Sequence, residues 1–440
     1  MKVKKTLAIV FLVSMLSVIL AGCGGTGSSN DEEQKNQSES ASTQAIQENT
    51  GSKEKFVLNL AIWDEKLKDT VNQVIEIYKQ DHPEADVQVT VTPVKDYWTK
   101  TQASLVGGKG PDLFMMNGPN FNKFASLGLL SDLQPLIEKD GVDTSVYPQG
   151  INELYKLDGH AYGIPFYLGS LGLYYNKELF DKAGVPYPDE SWTWETLKEK
   201  AALLTNKEAK QYGYIAVNAD QVGYYPLIHQ AGGSVISADK KTSGLDSEGT
   251  INAIQFMKDL MDQGISPSAQ QQLETEALQI FGSGNAAMYP GGSFDAFNLQ
   301  KLLGDKLGVT VLPKGEQSGF YVHGSSWVIN KQSKHQQEAW ELLNLLTGKA
   351  GQELLAKNAI NFPAYTDYVD LWAQSIPSLD MKAFVVSLPD AVAYPVSQNT
   401  SEWQKVMAAS ITEALTGAVP VKEAMTTAAQ QMNEILSKDK

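Results

Sequence analysis

An α/β fold built around two hydrophobic cores is the architecture that this sequence predicts, and three observations lead there. Short β-rich runs alternate with amphipathic helices. The stretch 56–440 is longer than a typical single domain and rich enough in apolar residues to fill two cores. After Ala161 the strand-and-helix pattern begins afresh. Strand–helix–strand order predicts mixed, mainly parallel sheets flanked by helices, with ligands gathering at the carboxyl ends of strands.

The first element is a leader rather than part of the fold. Lys2, Lys4 and Lys5 precede the uncharged run Thr6–Ala21, the pattern of an export signal and short for a spanning helix of about 20 apolar residues. Leu20-Ala21-Gly22-Cys23 is similar to the bacterial lipobox, which implies cleavage after residue 22 and a lipid on the sulfur of Cys23, the only cysteine of the chain. A plain membrane anchor is the alternative to this reading. Residues 23–55 have almost no large apolar side chain and predict a disordered tether.

Folding begins at "FVLNLAI" (56–62), read as a strand. A helix over Glu65–Asp81 follows, with Leu67, Val71, Val74, Ile77 and Tyr78 on its apolar face, and then the strand "VQVTV" (87–91). A helix over Tyr97–Leu105 ends at Gly107, Gly108, Gly110 and Pro111 before the strand "DLFMM" (112–116). The runs "LGLYYN" and "YGYIAV" restart the pattern.

The order of several segments then resembles one family. "LAIWD" (60–64), "GKGPDLFMM" (108–116), "GIPFYLGSLGLYYNK" (163–177), "TWETL" (193–197), "PLIHQAGG" (226–233), "AAMYPGGSF" (286–294) and "VLP" (311–313) are similar to segments of the extracellular solute-binding protein family 1, the sugar-binding lipoproteins of ABC importers. The resemblance reaches the final helix near Ile435. It implies a two-lobed periplasmic-binding-protein-like fold that closes on ligand, with about three hinge crossings. The expected division is 56–164 and 324–363 for the first lobe, 165–323 and 364–440 for the second. Gly163 and Pro165 suit the first crossing, since proline fixes one dihedral while glycine frees another. Gly324 marks the second, within His323–Ser325, and Asn361–Ala364 the third.

Sugars need aromatic faces for their C–H surfaces and planar polar groups for their hydroxyls, because an unpaired buried hydroxyl costs about 1–3 kcal/mol. The resemblance places ligand contacts at Trp63 and Asp64 after the first strand, and at Asn117 and Asn120 after "DLFMM". Asp112 is read equally well as a cap of its turn. Tyr167 and Ser170 lie beyond the first crossing, and Ser325 at the second. Asp220, Gln221 and Tyr224 match a loop that supplies polar and aromatic contacts. Gly292, Ser293 and Phe294 form a motif in which the family more usually has tryptophan in place of Phe294. Trp403 matches the position of a ligand-stacking tryptophan, with core packing as its alternative. Trp194, by contrast, is read as helix packing behind the N-cap Thr193.

Charge narrows the partners. The net charge is −15, and losing the leader's three lysines makes it more negative, so nucleic acid has no basic footprint to bind. All 36 basic residues are lysine, and the absence of the guanidinium fork tilts the ligand toward neutral or cationic molecules. The resemblance implies a sugar, presented to ABC permease subunits by a lipid-anchored monomer on the outer face of the cell membrane, without cofactor or metal. A secreted glycoside hydrolase stays open as an alternative because two carboxylates suffice for that chemistry, as does a binder of peptides. The motifs of activated serines and zinc proteases are absent from the sequence, and His82, His160, His229, His323 and His335 are scattered and read as surface or core residues.

Overall fold

The computed structural model describes residues 54–358 and 361–439. The leader, Cys23 and nearly all of the tether therefore lie outside the described residues.

Strand β1 (Phe56–Ile62) forms where expected, and its inner residues are buried. The helix that follows begins later than its periodicity suggests. Asp64 accepts a hydrogen bond from the Lys66 amide and opens a short 3-10 turn, Glu65–Leu67, before the α-helix Lys68–Asp81. Strands β2 (Ala85–Val91) and β3 (Leu113–Asn117) each run parallel to β1. A two-residue hairpin, β4 (Lys156–Leu157) with β5 (His160–Ala161), precedes β6 (Ile164–Gly169).

Two sheets organise the rest. The larger has seven strands: β11 (Phe362–Pro363), β6, β10 (Phe320–Ile329), β3, β1 and β2 in that spatial order, with β12 (Ala391–Ala393) on the first residues of β10. The smaller is β8 (Met288–Gly292), β7 (Leu171–Asn176) and β9 (Leu307–Thr310). Its two ladders are antiparallel, as are those of β6 with β10 and of β10 with β3. The mainly parallel pairing expected is thus confined to β1–β3 and β10–β12. "YGYIAV" runs beside β8, bonded to Met288 at Ile215 and to the residues just before the strand at Tyr212, but it forms no strand of its own. Gly213 passes so close to the Ala201 carbonyl that a Cβ would collide with it.

The passage between sheets is displaced from the position expected. Pro165 belongs to the larger sheet, with Gly163 just before its strand β6, and the chain leaves that sheet at Ser170, between β6 and β7. Proline has no N–H for a ladder and is tolerated at bulges. Here Pro165 faces Ser326 where the register against β10 shifts. Gly163 is required by close approach, since a Cβ would stand 2.7 Å from Ser326 Oγ. The return to the larger sheet lies between Thr310 and Phe320. Phe362 and Pro363 pair with β6, after which the helix Lys382–Val386 packs on β7 and β9.

Candidate functional site

Strand ends from both sheets converge on one cavity of about 360 Å³. From the larger sheet come Trp63 and Asp64 after β1, Asn117 at the end of β3 and Pro119 beyond it, Tyr167 on β6, and His323 and Gly324 on β10. The other side supplies Gln221 and, just beyond β8, Phe294 and Asp295. Lys66, Val94 and Asn361 complete the wall.

Local chemistry sets each of these groups. Trp63 is half-buried, with Tyr97 edge-on at 5.3 Å and Trp98 tilted at the same distance, so its indole is braced. Asn117 caps the helix Gly118–Ser126, accepting from the Asn120 amide at 3.2 Å. Burial raises the Tyr167 phenol above its ordinary pKa, and the charge of Asp64 adds to the effect, so it stays a neutral hydroxyl. Phe294 lies edge-on to the His323 imidazole at 5.5 Å. Asp295 accepts from the Gly292 amide at 3.1 Å and from the Tyr289 hydroxyl at 3.3 Å. Burial nevertheless pushes its carboxyl up to about 6, outweighing those bonds and the nearby Lys66. Burial also drives the His323 imidazole down to about 4, so the ring is neutral at neutral pH.

Of the residues expected to touch ligand, Trp63, Asp64, Asn117, Tyr167, Gln221 and Phe294 line this cavity, as does Gly324, expected at a hinge. The others lie outside it, for identifiable reasons. Asp112 accepts from the Asn59 amide and the Ser333 hydroxyl, tying β1 to the turn after β10. Asn120 donates its side-chain amide to the Asn117 side-chain oxygen Oδ1. Ser170 donates to the Phe384 carbonyl, and its own carbonyl accepts from the Ser293 amide. These two serines therefore join the start of β7 to the turn after β8. Gly292 is held by the Tyr174 hydroxyl and by Asp295. Asp220 accepts from the Tyr394 hydroxyl, Tyr224 is buried, and Ser325 is fully enclosed in β10.

Trp403 is the clearest correction. It is 0% exposed, and its Nε1 donates to Ser397 Oγ at 3.0 Å. The ring fills the core under the helix Thr400–Thr416, so the packing alternative describes it and the open platform does not. Trp194 is a packing residue as expected, stacked on Phe256 at 4.7 Å with its Nε1 donating to Gln230.

Lys66, Val94, Pro119, Asp295, His323 and Asn361 were not singled out as ligand contacts. For Asp295 the signal was legible, since it directly follows the Gly292-Ser293-Phe294 motif. His323 was read as part of a crossing and as a surface or core histidine, and Asn361 only as part of a crossing. Among the described residues no group of three or more His, Cys, Asp or Glu side chains is placed to hold a metal ion.

Residues 61–353 match the family model described as bacterial extracellular solute-binding protein. An arabinooligosaccharide-binding protein of Bacillus subtilis is 25% identical over 361 residues, covering 78% of this chain and 76% of that protein. A maltooligosaccharide ABC transporter solute-binding lipoprotein of Streptococcus pneumoniae is 24% identical over 376 residues, 83% of this chain and 82% of its own. In three dimensions the chain is similar to an ABC substrate-binding protein of Listeria monocytogenes solved with cycloalternan, with a TM-score of 0.81 at 23% identity, over 87% of this chain and 100% of that one.

Proposed function

Since the chain belongs to the bacterial extracellular solute-binding proteins, we propose that it captures an oligosaccharide in the cavity between its two sheets and presents it to the permease of an ABC importer. One observation carries this reading: a single cavity draws its wall from strand ends of both sheets and pairs aromatic faces (Trp63, Tyr167, Phe294) with planar polar groups (Asn117, Gln221, Asn361). Such a site gains free energy from both sides only when they approach, so ligand favours the closed arrangement by its differential affinity. Lipid on Cys23 and the polar tether would hold the binder at the outer face of the membrane.

Binding without chemistry fits the carboxylates better than hydrolysis does. Asp295, with its raised pKa, is the group a glycosidase would use as acid. Its Oδ2, however, already accepts from the Gly292 amide and the Tyr289 hydroxyl, which hold it in place as a structural acceptor. The test is thermal unfolding with arabinotriose, maltotriose and cycloalternan, each also supplied with a reducing-end label where it has such an end. A bound sugar at about 100 times its dissociation constant adds about 2.7 kcal/mol of stability, and the label stays on intact sugar. No shift with any of the three refutes the oligosaccharide reading; released fragments favour the hydrolase.

A further inference from the structure

Two polar atoms in the wall of this cavity are buried without a hydrogen-bond partner: His323 Nε2 and Asn361 Nδ2. The ladders bring them to one place. His323 stands opposite Gly169 in the pairing of β10 with β6. On the other edge of β6, Phe362 pairs with Leu168 and Pro363 with Tyr167, so Asn361, in the bend just before β11, enters that ladder at its Gly169 end. Residues directly opposite in a ladder project from the same face of the sheet. Gly169 between them has no side chain, and a Cβ there would collide with His323 Nε2, so the imidazole leans over the glycine. Phe294 at 5.5 Å and Tyr394 at 6.5 Å, both edge-on, hold the plane of the ring.

We propose that His323 and Asn361 form a hydroxyl-binding subsite across Gly169, in which one ligand hydroxyl donates to the imidazole Nε2 and accepts from the Asn361 amide. This assignment rests on the sugar-binding reading of the cavity and narrows it to a neutral, hydroxyl-bearing ring at this point. Buried polar atoms without partners are few in folded proteins, and each loses its interaction with water until something completes it. Neutral imidazole protonated at Nδ1 presents an acceptor at Nε2, and a primary amide nitrogen presents donors. A hydroxyl serves both at once. With the ring in that tautomer, a carboxylate or phosphate satisfies only the amide, and an ammonium only the imidazole. Burial keeps the ring in the neutral form that this requires.

Calorimetry of the wild-type protein, His323→Phe and Asn361→Ala with arabinotriose, maltotriose and cycloalternan tests it, with apo melting measured on each protein. The sugar that the wild type binds is bound about tenfold more weakly by each variant, the size of one lost hydrogen bond. The double variant loses less than the product of the two single losses, because both partners act on the same hydroxyl. A series of monodeoxy derivatives of that sugar then contains one that weakens the wild type but not His323→Phe. Affinity within threefold of wild type in a folded His323→Phe, or independent losses in the double variant, overturns the subsite while leaving the cavity's function standing. Should His323→Phe fail to fold, Asn361→Ala carries the same deoxy-sugar test. A wild type that binds none of the three sugars overturns both readings.

Discussion

Trp403 illustrates how little a residue's type says about its face. Indole is equally suited to a sugar platform and to a core, and only its surroundings choose between them. With the ring enclosed and its N–H satisfied by Ser397, Trp403→Ala should cost about 3–5 kcal/mol of apo stability and leave affinity in the folded fraction near wild type. Urea unfolding and calorimetry on the same variant check this. Asp295 gives a second prediction, through pH. Its folded pKa of about 6 lies above the ordinary 3.8, so its contribution is fully present below pH 3.8 and is lost as pH rises through 6. Asp295→Asn removes that loss, and its stability relative to wild type should climb by about 3 kcal/mol between pH 4 and 7. His323 has the opposite sign: depressed to about 4 from 6.5, it supplies stability above pH 6.5 that is lost as pH falls through 4. Melting temperatures from pH 3.5 to 8 separate the two, since Asp295→Asn gains on wild type as pH rises from 4 to 7 whereas His323→Phe falls behind it over the same range.

At the scale of elements, the site depends on how strands end. β3 stops at Asn117 because its side chain turns back to cap the next helix, and the same residue reaches the cavity wall. Asn117→Ala should therefore lose about 1 kcal/mol of stability together with ligand affinity. Asn117→Asp keeps the capping oxygen, so its stability stays near wild type while its affinity still changes. Equal stability loss in both variants would contradict the capping role. The start of β6 was read as a crossing and not as a strand: a glycine and a proline in the four residues "GIPF" suggest a hinge, and only the register shift against β10 explains how a strand accepts Pro165.

For the whole molecule, a ligand that touches groups from both sheets should draw them together. Small-angle scattering with and without the bound sugar should give a smaller radius of gyration at saturation, and an unchanged radius would argue against closure. The leader makes its own prediction. Cys23→Ala should abolish lipid attachment, read by labelled palmitate and by release into the medium, with the affinity of the folded part unaltered.

How far the primary structure reaches follows from the range of the forces involved. Strand and helix positions were legible wherever side-chain periodicity stated them, as in β1 and "LGLYYN", because the alternation of apolar residues acts between neighbours in the chain. The loop positions of Trp63, Asp64 and Asn117 followed from the same pattern, since the ends of strands are where an α/β sheet opens. Which aromatic faces the cavity was decided elsewhere. Trp63 follows a strand and Trp403 opens a helix, yet it is contacts made across the fold that brace one at the cavity and enclose the other. The placing of Asn361 and His323 in one cavity wall depends on two ladders whose partners lie about 155–195 residues apart. Local sequence carries no trace of a pairing register, because register is set by the simultaneous burial of every strand in the sheet.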